Sequence, residues 1–463
     1  MDRLPRSDLR QRWGLAALVA ILGLAAALRF VGIEYGLPFP LLNPDEQVIV
    51  PRAWHMTHGG GPNPHWFNYP SLVLYLLAPF EAWHAVPTYL DARIVIAVLG
   101  TAAVAATWWL GLRAYGMLAA VVGAAAVAVE TTHVAYSHMA VTDVPMTLGV
   151  AVALALMVSG RLELAGAAAG LALSAKWPAV LLAVPLIVAG WGQWRRLGIA
   201  FALAVATFLV TSPFVLLDAG KAASDAWSTQ SIHHTGWLGF EHDGNSLVGF
   251  LHRLWSGMGP ALVLAGAGLV AALIARRRTD LILASFVLVY FLNLLTLESH
   301  FDRFVLPLVP PLSVLAGRSR LLAPVAGALL VFPLVWSIQK DVRWTRTDTR
   351  VVARAWIERH VAPGTEVAAE SSTPSLDGFH VVPLHVPGPG FGFDPLRNVR
   401  RLRSDGVRYV LVTGVVADRV LAAREQYPRE ARFYDDLATE AHRAYYVRSG
   451  HGLSGPWVAV YRL

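Results

Sequence analysis

The chain has 463 residues, of which 55% are hydrophobic and 15% are charged, and its mean hydropathy is +0.49. Soluble domains carry about 25% charged residues, so this composition excludes a soluble globular protein and predicts an integral membrane protein. The net charge is +7, but much of the basic charge falls in short loops between apolar segments, where it orients helices, so nucleic-acid binding is not predicted. The sequence has 0 cysteines, which excludes disulfides and thiolate metal sites.

The first apolar segment, residues 13–32, predicts a retained membrane-spanning helix. It is too long for the apolar part of a signal peptide, and it lacks a small-residue cleavage site. The basic sequence RLPRSDLRQR precedes it and predicts a cytoplasmic N-terminus.

A long mixed segment, residues 33–90, follows the first span. Its apolar run SLVLYLLAPF (71–80) has about half the roughly 20 residues that a span needs, so it predicts an interfacial or re-entrant helix. Further spans are predicted at 92–112, 117–132, 142–159, 163–175, 177–190, 197–216, 258–275, 279–297, 303–317 and 320–338. The sequence therefore predicts a polytopic α-helical membrane protein with about eleven transmembrane helices.

The loops on the two sides of the predicted bundle differ in kind. The short loops on the N-terminal side carry Arg113, Arg161, Arg195, Arg196, Arg276, Arg277, Arg278, Arg318 and Arg320. Cytoplasmic loops are enriched in Lys and Arg, so this face is predicted to be cytoplasmic in a multi-pass cell membrane protein. The opposite loops are longer, hold most of the histidines and loop acids, and are where we expect the function.

The composition changes at about residue 341, where charge rises and apolar runs shorten. Strand-like pieces at 408–416 and 457–463 alternate with helical ones at 349–361 and 417–427. We therefore predict a transmembrane catalytic domain over 1–340 and a small soluble α/β domain over 341–463, on the extracytoplasmic side. The predicted soluble domain, with about 120 residues, has a normal size for a domain.

Acidic residues begin two predicted helices on the long-loop face. Asp45 and Glu46 follow the turn Asn43-Pro44, and Asp143 follows Thr142. Acids at a helix N-terminus satisfy free N–H groups and favour the dipole, which is a sufficient structural explanation for each. The functional alternative is strongest for Asp45, because a carboxylate just outside a membrane boundary can act as general base toward an acceptor hydroxyl or amine.

Three cations lie at the starts or breaks of spans on the same face. Lys176 stands between apolar runs, where an ionisable group is costly, and it either binds an anion such as phosphate or extends to the interface. Arg303 immediately precedes FVLPLVPP, and Arg93 begins another span. Arginine suits bidentate phosphate contact, although both could equally be interface anchors.

Four further side chains are assigned to a substrate-binding site with these cations. His300 and Asp302 share the turn of Arg303, and the alternative for them is a solvated connector with internal ion pairing. Asn68 and Tyr69 belong to HWFNYPSL, ahead of the short apolar run. The histidines of this face could include ligands of a divalent metal, but none has a spacing specific for metal ligands, so a metal is unsupported and no other cofactor is predicted. The sequence also lacks a P-loop, a zincin motif and a dinucleotide fingerprint.

The ordered set of motifs resembles the GT-C superfamily of glycosyltransferases that use polyprenyl-phosphate sugars. The nearest branch holds the protein O-mannosyltransferases and the lipid A aminoarabinose transferases, and the resemblance covers about residues 13–338. It depends on NPDE (43–46), NYPSL (68–72), DARIVIAVLG (91–100), TDVPM (142–146), SAKWPA (174–179) and DRFVLPLVPP (302–311).

The resemblance implies a role for each matched residue. Asp45 would be the general base, assisted by Glu46, and Asp143 would shape the acceptor or donor site. Lys176 and Arg303, together with Arg93, would bind the donor phosphate. It implies an inverting transfer from a polyprenyl-phosphate-linked sugar to a glycan, lipid or protein acceptor on the extracytoplasmic face. Relatives often continue the acidic pair with Ala-Tyr, whereas Gln47 and Val48 follow it here, which leaves the acceptor pocket open.

Two alternatives remain beside the transferase. A lipid or sugar transporter (flippase) would suit an intramembrane Lys176, but it predicts charges deep in several spans and often repeated halves, which the sequence does not show. A lipid-linked glycan polymerase or ligase shares the site and the donor. The acidic pair in the first loop favours the transferase over it.

Overall fold

The computed structural model describes residues 6–463, with side chains from residue 12 onward. Apart from Arg12, the basic segment that predicts a cytoplasmic N-terminus has its side chains outside the described residues. The helices of the membrane part are α1 (Arg6–Phe30), α2 (Glu46–His55), α3 (Leu72–Glu81), α4 (Tyr89–Ala114), α5 (Met117–Val129), α6 (Thr131–Tyr136), α7 (Asp143–Val158), α8 (Leu162–Ala175), α9 (Ala183–Gly190), α10 (Trp194–Thr211), α11 (Phe214–Leu217), α12 (Ala219–Thr235), α13 (Ser246–Met258), α14 (Ala261–Ala275), α15 (Arg278–Leu294), α16 (Val309–Ala316), α17 (Ala323–Leu329) and α18 (Val331–Trp344). A π-helical turn occupies Met56–Gly60, and 3₁₀ helices occupy Trp177–Leu182 and Asp302–Leu308.

Every predicted span coincides with one of these helices or with two consecutive ones, and the short run at 71–80 forms α3. Among the described residues, four helical stretches are individually long and apolar enough to cross a membrane: Arg12–Phe30, Tyr89–Ala114, Trp194–Thr211 and Ala323–Trp344. A bent pair, α13 with α14, meets the same criterion together, with a bend of 115°. The helical architecture is therefore confirmed, and the number of eleven spans stays a prediction.

Small residues allow close helix packing in the bundle. A Cβ atom on Gly166 of α8 would lie 2.0 Å from the Ala200 carbonyl oxygen of α10. A Cβ atom on Gly170 would lie 2.2 Å from the Ala204 carbonyl oxygen. These positions require glycine because the two backbones are almost in contact. The α8–α10 pair supports the C-terminal end of α8, where the chain leaves the helix at Lys176.

Two of the three segments with predicted phosphate-binding cations, those of Lys176 and Arg303, are breaks in helical geometry, whereas Arg93 lies within the regular helix α4. Lys176 has an extended backbone (φ −160°, ψ 138°) between α8 and the 3₁₀ helix that starts at Trp177. Pro178 and Pro307 each lie in one of the two 3₁₀ helices. Because proline lacks a backbone N–H and clashes with the preceding turn, a regular α-helix cannot continue through either position. Each break places a cation at the end of a helix.

The C-terminal part contains a five-stranded mixed sheet. Its strands are β2 (Glu366–Glu370), β3 (His380–Leu384), β4 (Tyr409–Thr413), β5 (His442–Val447) and β7 (Val458–Arg462), in the order β3-β2-β4-β7-β5. β2 runs parallel to β3 and β4, and β7 runs antiparallel to β4 and β5. The short strands β1 (Thr347–Asp348) and β6 (Leu453–Ser454) pair separately.

Four helices accompany the sheet: α19 (Thr349–His360), α20 (Val399–Ser404), α21 (Gly414–Ala422) and α22 (Pro428–Glu440). The predicted small α/β region is confirmed, and each predicted strand and helix has a counterpart in it. The strand predicted at 408–416 ends at Thr413 because α21 begins at Gly414, and the helix predicted at 417–427 ends at Ala422. α18 runs past the predicted boundary at 340 to Trp344, and the division into two domains stays a prediction. We call residues 347–463 the sheet region.

Candidate active site

Asp45 precedes α2 without capping it. Its backbone is α-helical (φ −63°, ψ −31°) rather than extended, and its side chain makes no hydrogen bond to the helix end. Oδ2 instead accepts hydrogen bonds from the Tyr69 hydroxyl at 3.0 Å and from Nη1 of Arg303 at 2.9 Å. None of the residues that the structure describes donates to its other oxygen, Oδ1, and the side chain is 17% exposed. Asp45 therefore has one anchored and one available carboxylate oxygen.

Asp143 and Lys176 form a second, buried ion pair. Nζ of Lys176 donates to Oδ1 of Asp143 at 2.6 Å, while Oδ2 of Asp143 is buried without a hydrogen-bond partner among the described residues. The helix-cap alternative does not account for this carboxylate. Thr142 occupies the N-cap of α7, and the hydrogen bond of Asp143 is made with Lys176. Leaving a buried oxygen of a charged group unpartnered costs about 1–3 kcal/mol or more, so Oδ2 of Asp143 is available to a hydrogen-bond donor of a ligand or water.

The two ion pairs meet at two aromatic rings. Nζ of Lys176 lies 5.2 Å from the centre of the Tyr69 ring and 5.1 Å from that of Phe304. The Arg303 guanidinium lies 5.9 Å from the Phe304 ring, and the Tyr69 hydroxyl binds Asp45. Four charged residues from distant parts of the chain thus surround one pair of rings, and we call Asp45, Asp143, Lys176 and Arg303 the charge cluster.

A cavity opens beside Lys176. Its polar lining includes Asn68 and Tyr69, as the sequence suggested, and also Gln230 and His233 of α12. Two further polar residues, Thr229 of α12 and Asn293 of α15, also line it. The remaining lining residues are apolar or aromatic: Trp177, Pro178, Tyr290, Leu294, Leu297 and Phe304. Most small-molecule sites have this composition, with an apolar wall and a few placed polar groups.

Glu46 and Arg93 lie outside the charge cluster, paired with one another. Nε and Nη2 of Arg93 donate to the two Glu46 oxygens at 2.8 and 2.9 Å, and both side chains are fully buried. Nη1 of Arg93 donates to the carbonyls of Ile33 and Tyr35, and the Ala140 amide donates to Glu46. The structure therefore does not bring these two residues to the site that the sequence analysis assigned them, because each satisfies the other's charge.

His300 and Asp302 flank the cluster differently. The His300 ring is buried, with Nδ1 3.5 Å from Oδ2 of Asp243 and Nε2 3.3 Å from the Ser246 hydroxyl, so it faces the loop before α13 and not the charge cluster. Asp302 accepts hydrogen bonds from the Tyr136 hydroxyl at 2.6 Å and from the Arg303 amide at 3.0 Å. Asp302 thus fixes the turn that carries Arg303.

His233 lines the cavity, although the sequence analysis did not select it. Its Nδ1 atom is buried with no partner in the described part of the chain, and its ring meets the Phe304 ring edge-on at 4.9 Å. Burial, followed by the positive charges of Lys176 and Arg303, lowers the pKa of His233 from 6.5 to about 3. The ring is therefore neutral near pH 7. No local pattern distinguishes it from its neighbour His234, which is exposed and faces the Thr296 carbonyl.

Among residues 12–463, whose side chains are described, no group of three or more His, Asp and Glu side chains is arranged to hold a metal ion.

Solved structures of two other proteins share the fold. ArnT from Cupriavidus metallidurans, in the apo state, aligns with a TM-score of 0.62 at 16% identity over 96% of this chain and 97% of that chain. ArnT bound to undecaprenyl phosphate aligns with a TM-score of 0.55 at 16% identity over the same shares of the two chains. The apo oligosaccharyltransferase of Archaeoglobus fulgidus aligns with a TM-score of 0.58 at 12% identity, over 97% of this chain and 74% of that one. These likenesses confirm the predicted GT-C fold.

Sequence comparison identifies the family. No curated protein matches the chain significantly. The profile of glycosyltransferase family 87 matches residues 66–297, which is half of the chain and includes Asn68, Tyr69, Asp143 and Lys176. Together with the GT-C fold, this match confirms the predicted superfamily and makes the protein a membrane glycosyltransferase. The chain belongs to glycosyltransferase family 87.

Proposed function

We propose that the protein transfers a sugar from a polyprenyl phosphate carrier to a hydroxyl or amine acceptor, with inversion at the anomeric carbon and Asp45 as the general base. The observation that carries the proposal is the meeting of two acid–cation pairs, Asp45–Arg303 and Asp143–Lys176, around Tyr69 and Phe304. These two rings line one cavity together with Lys176. An inverting transfer needs a base on one side of the sugar and cations at the leaving phosphate on the other. The charge cluster provides both kinds of group.

The donor assignment depends on the cations and on the fold. An ammonium group has three N–H donors, and Lys176 gives one to Asp143. Nε of Arg303 is buried and has no partner among the described residues. Donors are therefore free to hold a phosphate. ArnT, which has the same fold, was solved with undecaprenyl phosphate bound, and this supports a polyprenyl phosphate carrier here.

The base assignment depends on the two unlike oxygens of Asp45. Tyr69 and Arg303 hold Oδ2 and so orient the carboxylate. Oδ1 takes the proton of the acceptor hydroxyl or amine while the acceptor oxygen or nitrogen forms a bond to the anomeric carbon. The bond from that carbon to the phosphate oxygen breaks, and Lys176 and Arg303 stabilise the charge that develops on the phosphate. A single displacement of this kind inverts the anomeric centre.

The remaining predicted residues take other roles in the proposal. Asn68 and His233 line the cavity and bind sugar hydroxyls. The oxygen of Asp143 that has no partner among the described residues, and whose companion oxygen binds Lys176 of the cavity wall, accepts a hydrogen bond from a further sugar hydroxyl. We assign Glu46 and Arg93 to structure, because each is buried against the other. The site faces the extracytoplasmic side, since it is built from the loops opposite the arginine-rich ones.

Donor turnover by the purified protein tests the proposal. The protein is added to membranes that contain the native acceptors, together with either polyprenyl monophosphates that carry single radiolabelled sugars or labelled lipid diphosphate oligosaccharides. We expect one donor to be consumed, the label to enter a product of inverted anomeric configuration, and Lys176→Met to raise the donor KM at least tenfold. Consumption of lipid diphosphate oligosaccharides alone would favour the polymerase or ligase alternative, and a product of retained configuration would contradict a single displacement.

A further inference from the structure

The loop between α12 and α13, residues 236–245, is held by the sheet region, and we call it the connecting loop. Leu238 is 1% exposed and belongs to the same apolar cluster as Ala368, Val410 and Ala459 of the sheet. The Tyr427 hydroxyl donates to Oε1 of Glu241 at 2.9 Å. The connecting loop therefore supplies a core residue and a hydrogen-bond acceptor to the sheet region.

The other side of the connecting loop packs on the turn that precedes Arg303. The Phe301 ring lies 6.2 Å from that of Trp237 and 4.9 Å from that of Phe240, which it meets edge-on. Trp237 also meets Phe391 of the sheet region edge-on at 5.9 Å. Three rings in succession, Phe391, Trp237 and Phe301, thus connect the sheet region to the turn.

Hydrogen bonds fix the same turn to the neighbouring helices α12 and α13. The amides of Glu298 and Ser299 donate to the His233 carbonyl at 3.0 and 3.1 Å, and Nε of Arg253 donates to the His300 carbonyl at 3.0 Å. The Phe301 ring lies 5.1 Å from the Arg303 guanidinium, which binds Asp45. The Phe301 ring therefore packs directly against the Arg303 cation of the charge cluster.

The sheet region also contacts the segment that leads to Asp45. The Arg354 guanidinium lies 4.2 Å from the centre of the Phe39 ring. Just before the sheet region, Trp344 at the end of α18 lies 6.3 Å from Tyr35. The sheet region therefore contacts the segment before Asp45 through Arg354, and it contacts the turn before Arg303 through the connecting loop.

We propose that the sheet region, through the connecting loop, holds the Arg303 guanidinium in its position beside Asp45, and that Trp237 is the positioning residue. This rests on the proposed function, in which Arg303 binds the donor phosphate. The physical basis is close packing: a side chain in a packed interior moves when its neighbour is removed, and a displacement of about 1 Å at a reacting group can cost about 100-fold in rate.

The test is a double-mutant cycle on the full-length protein in detergent, with the folded fraction measured by size-exclusion chromatography. Trp237→Ala opens a gap between Phe391 and Phe301 and is expected to raise the donor KM about tenfold, while Trp237→Phe, which keeps a ring there, restores most of the affinity. In an Arg303→Gln background, Trp237→Ala is expected to change the donor KM by less than about twofold, since the group it positions is absent.

Trp356→Ala is the matched control. Trp356 stacks on Tyr445 at 5.0 Å within the sheet region and packs in its other apolar cluster, so its loss perturbs the same region without touching the connecting loop. We expect it to leave the donor KM unchanged.

The outcomes separate the two proposals. Equal effects of Trp237→Ala and Trp356→Ala on the donor KM, or a full effect of Trp237→Ala in the Arg303→Gln background, overturn the positioning role and leave the proposed function standing. If Arg303→Gln itself leaves the donor KM unchanged, the proposed function fails at Arg303 and the positioning role fails with it.

Discussion

Asp45 and Glu46 are adjacent in the sequence but belong to different parts of the structure. Successive residues of a helical turn point about 100° apart. Asp45 consequently meets Tyr69 and Arg303 beside the cavity, whereas Glu46 meets Arg93 in the fully buried interior. The sequence shows that two carboxylates are present and does not show which of them is accessible, because accessibility depends on partners far along the chain.

The stability of the protein is expected to fall on acidification, in part through His233. Its pKa is about 3 in the folded protein against 6.5 as the ordinary value, so the unfolded chain binds a proton that the folded chain excludes. The contribution of His233 to the free energy of unfolding is fully present above pH 6.5 and is lost as the pH falls toward 3. At pH 5 the loss is about 2 kcal/mol. Melting temperatures at pH 7.5 and 5.0 should show a smaller decrease for His233→Gln than for the wild type, and equal decreases would refute this account of His233.

At the scale of elements, the Glu46–Arg93 pair connects the start of α2 to α4 and to the loop before α7. Removing one partner of a buried ion pair leaves the other charge uncompensated, which costs about 3–5 kcal/mol. We therefore expect Glu46→Gln to lower the melting temperature strongly and to leave the kcat of the surviving folded molecules within about twofold of the wild type. A well-folded Glu46→Gln protein with a greatly reduced kcat would instead support the catalytic assistance suggested by the sequence.

The helices were predictable from the sequence, whereas the breaks within them and their contacts were not. Long apolar runs bounded by charge and proline indicate each span directly. The extended backbone at Lys176 and the ion pair between Asp45 and Arg303, which are 258 residues apart, depend on tertiary packing that no local pattern records. The strands Glu366–Glu370, His380–Leu384 and His442–Val447 are short and mixed in polarity, which explains why the pattern did not indicate them.

For the whole molecule, the asymmetry of the loops predicts an orientation. The protein has 0 cysteines, so single cysteines can be introduced without background. Ser449→Cys, exposed in the sheet region, is expected to react with a membrane-impermeant maleimide in intact cells or spheroplasts. Arg277→Cys, exposed in an arginine-rich loop, is expected to react only after permeabilisation. The reverse pattern would place the catalytic face in the cytoplasm.

Asp45 is the central residue of the proposed mechanism, and a helix cap would also have explained it. Its side chain leaves the helix end uncapped, is anchored by one oxygen, and stands beside two cations and a cavity. Replacing it with asparagine keeps the size and the hydrogen-bond acceptor but removes the basicity.

The most direct test of the account is therefore a comparison of Asp45→Asn with the wild type in single-turnover transfer from the labelled donor, with donor binding measured in parallel. General base catalysis contributes about 100- to 10,000-fold. We expect Asp45→Asn to bind the donor with an affinity within about threefold of the wild type and to transfer the sugar at least 100-fold more slowly. Transfer at the wild-type rate would show that Asp45 is not the base, and Asp143 would then be the carboxylate to examine.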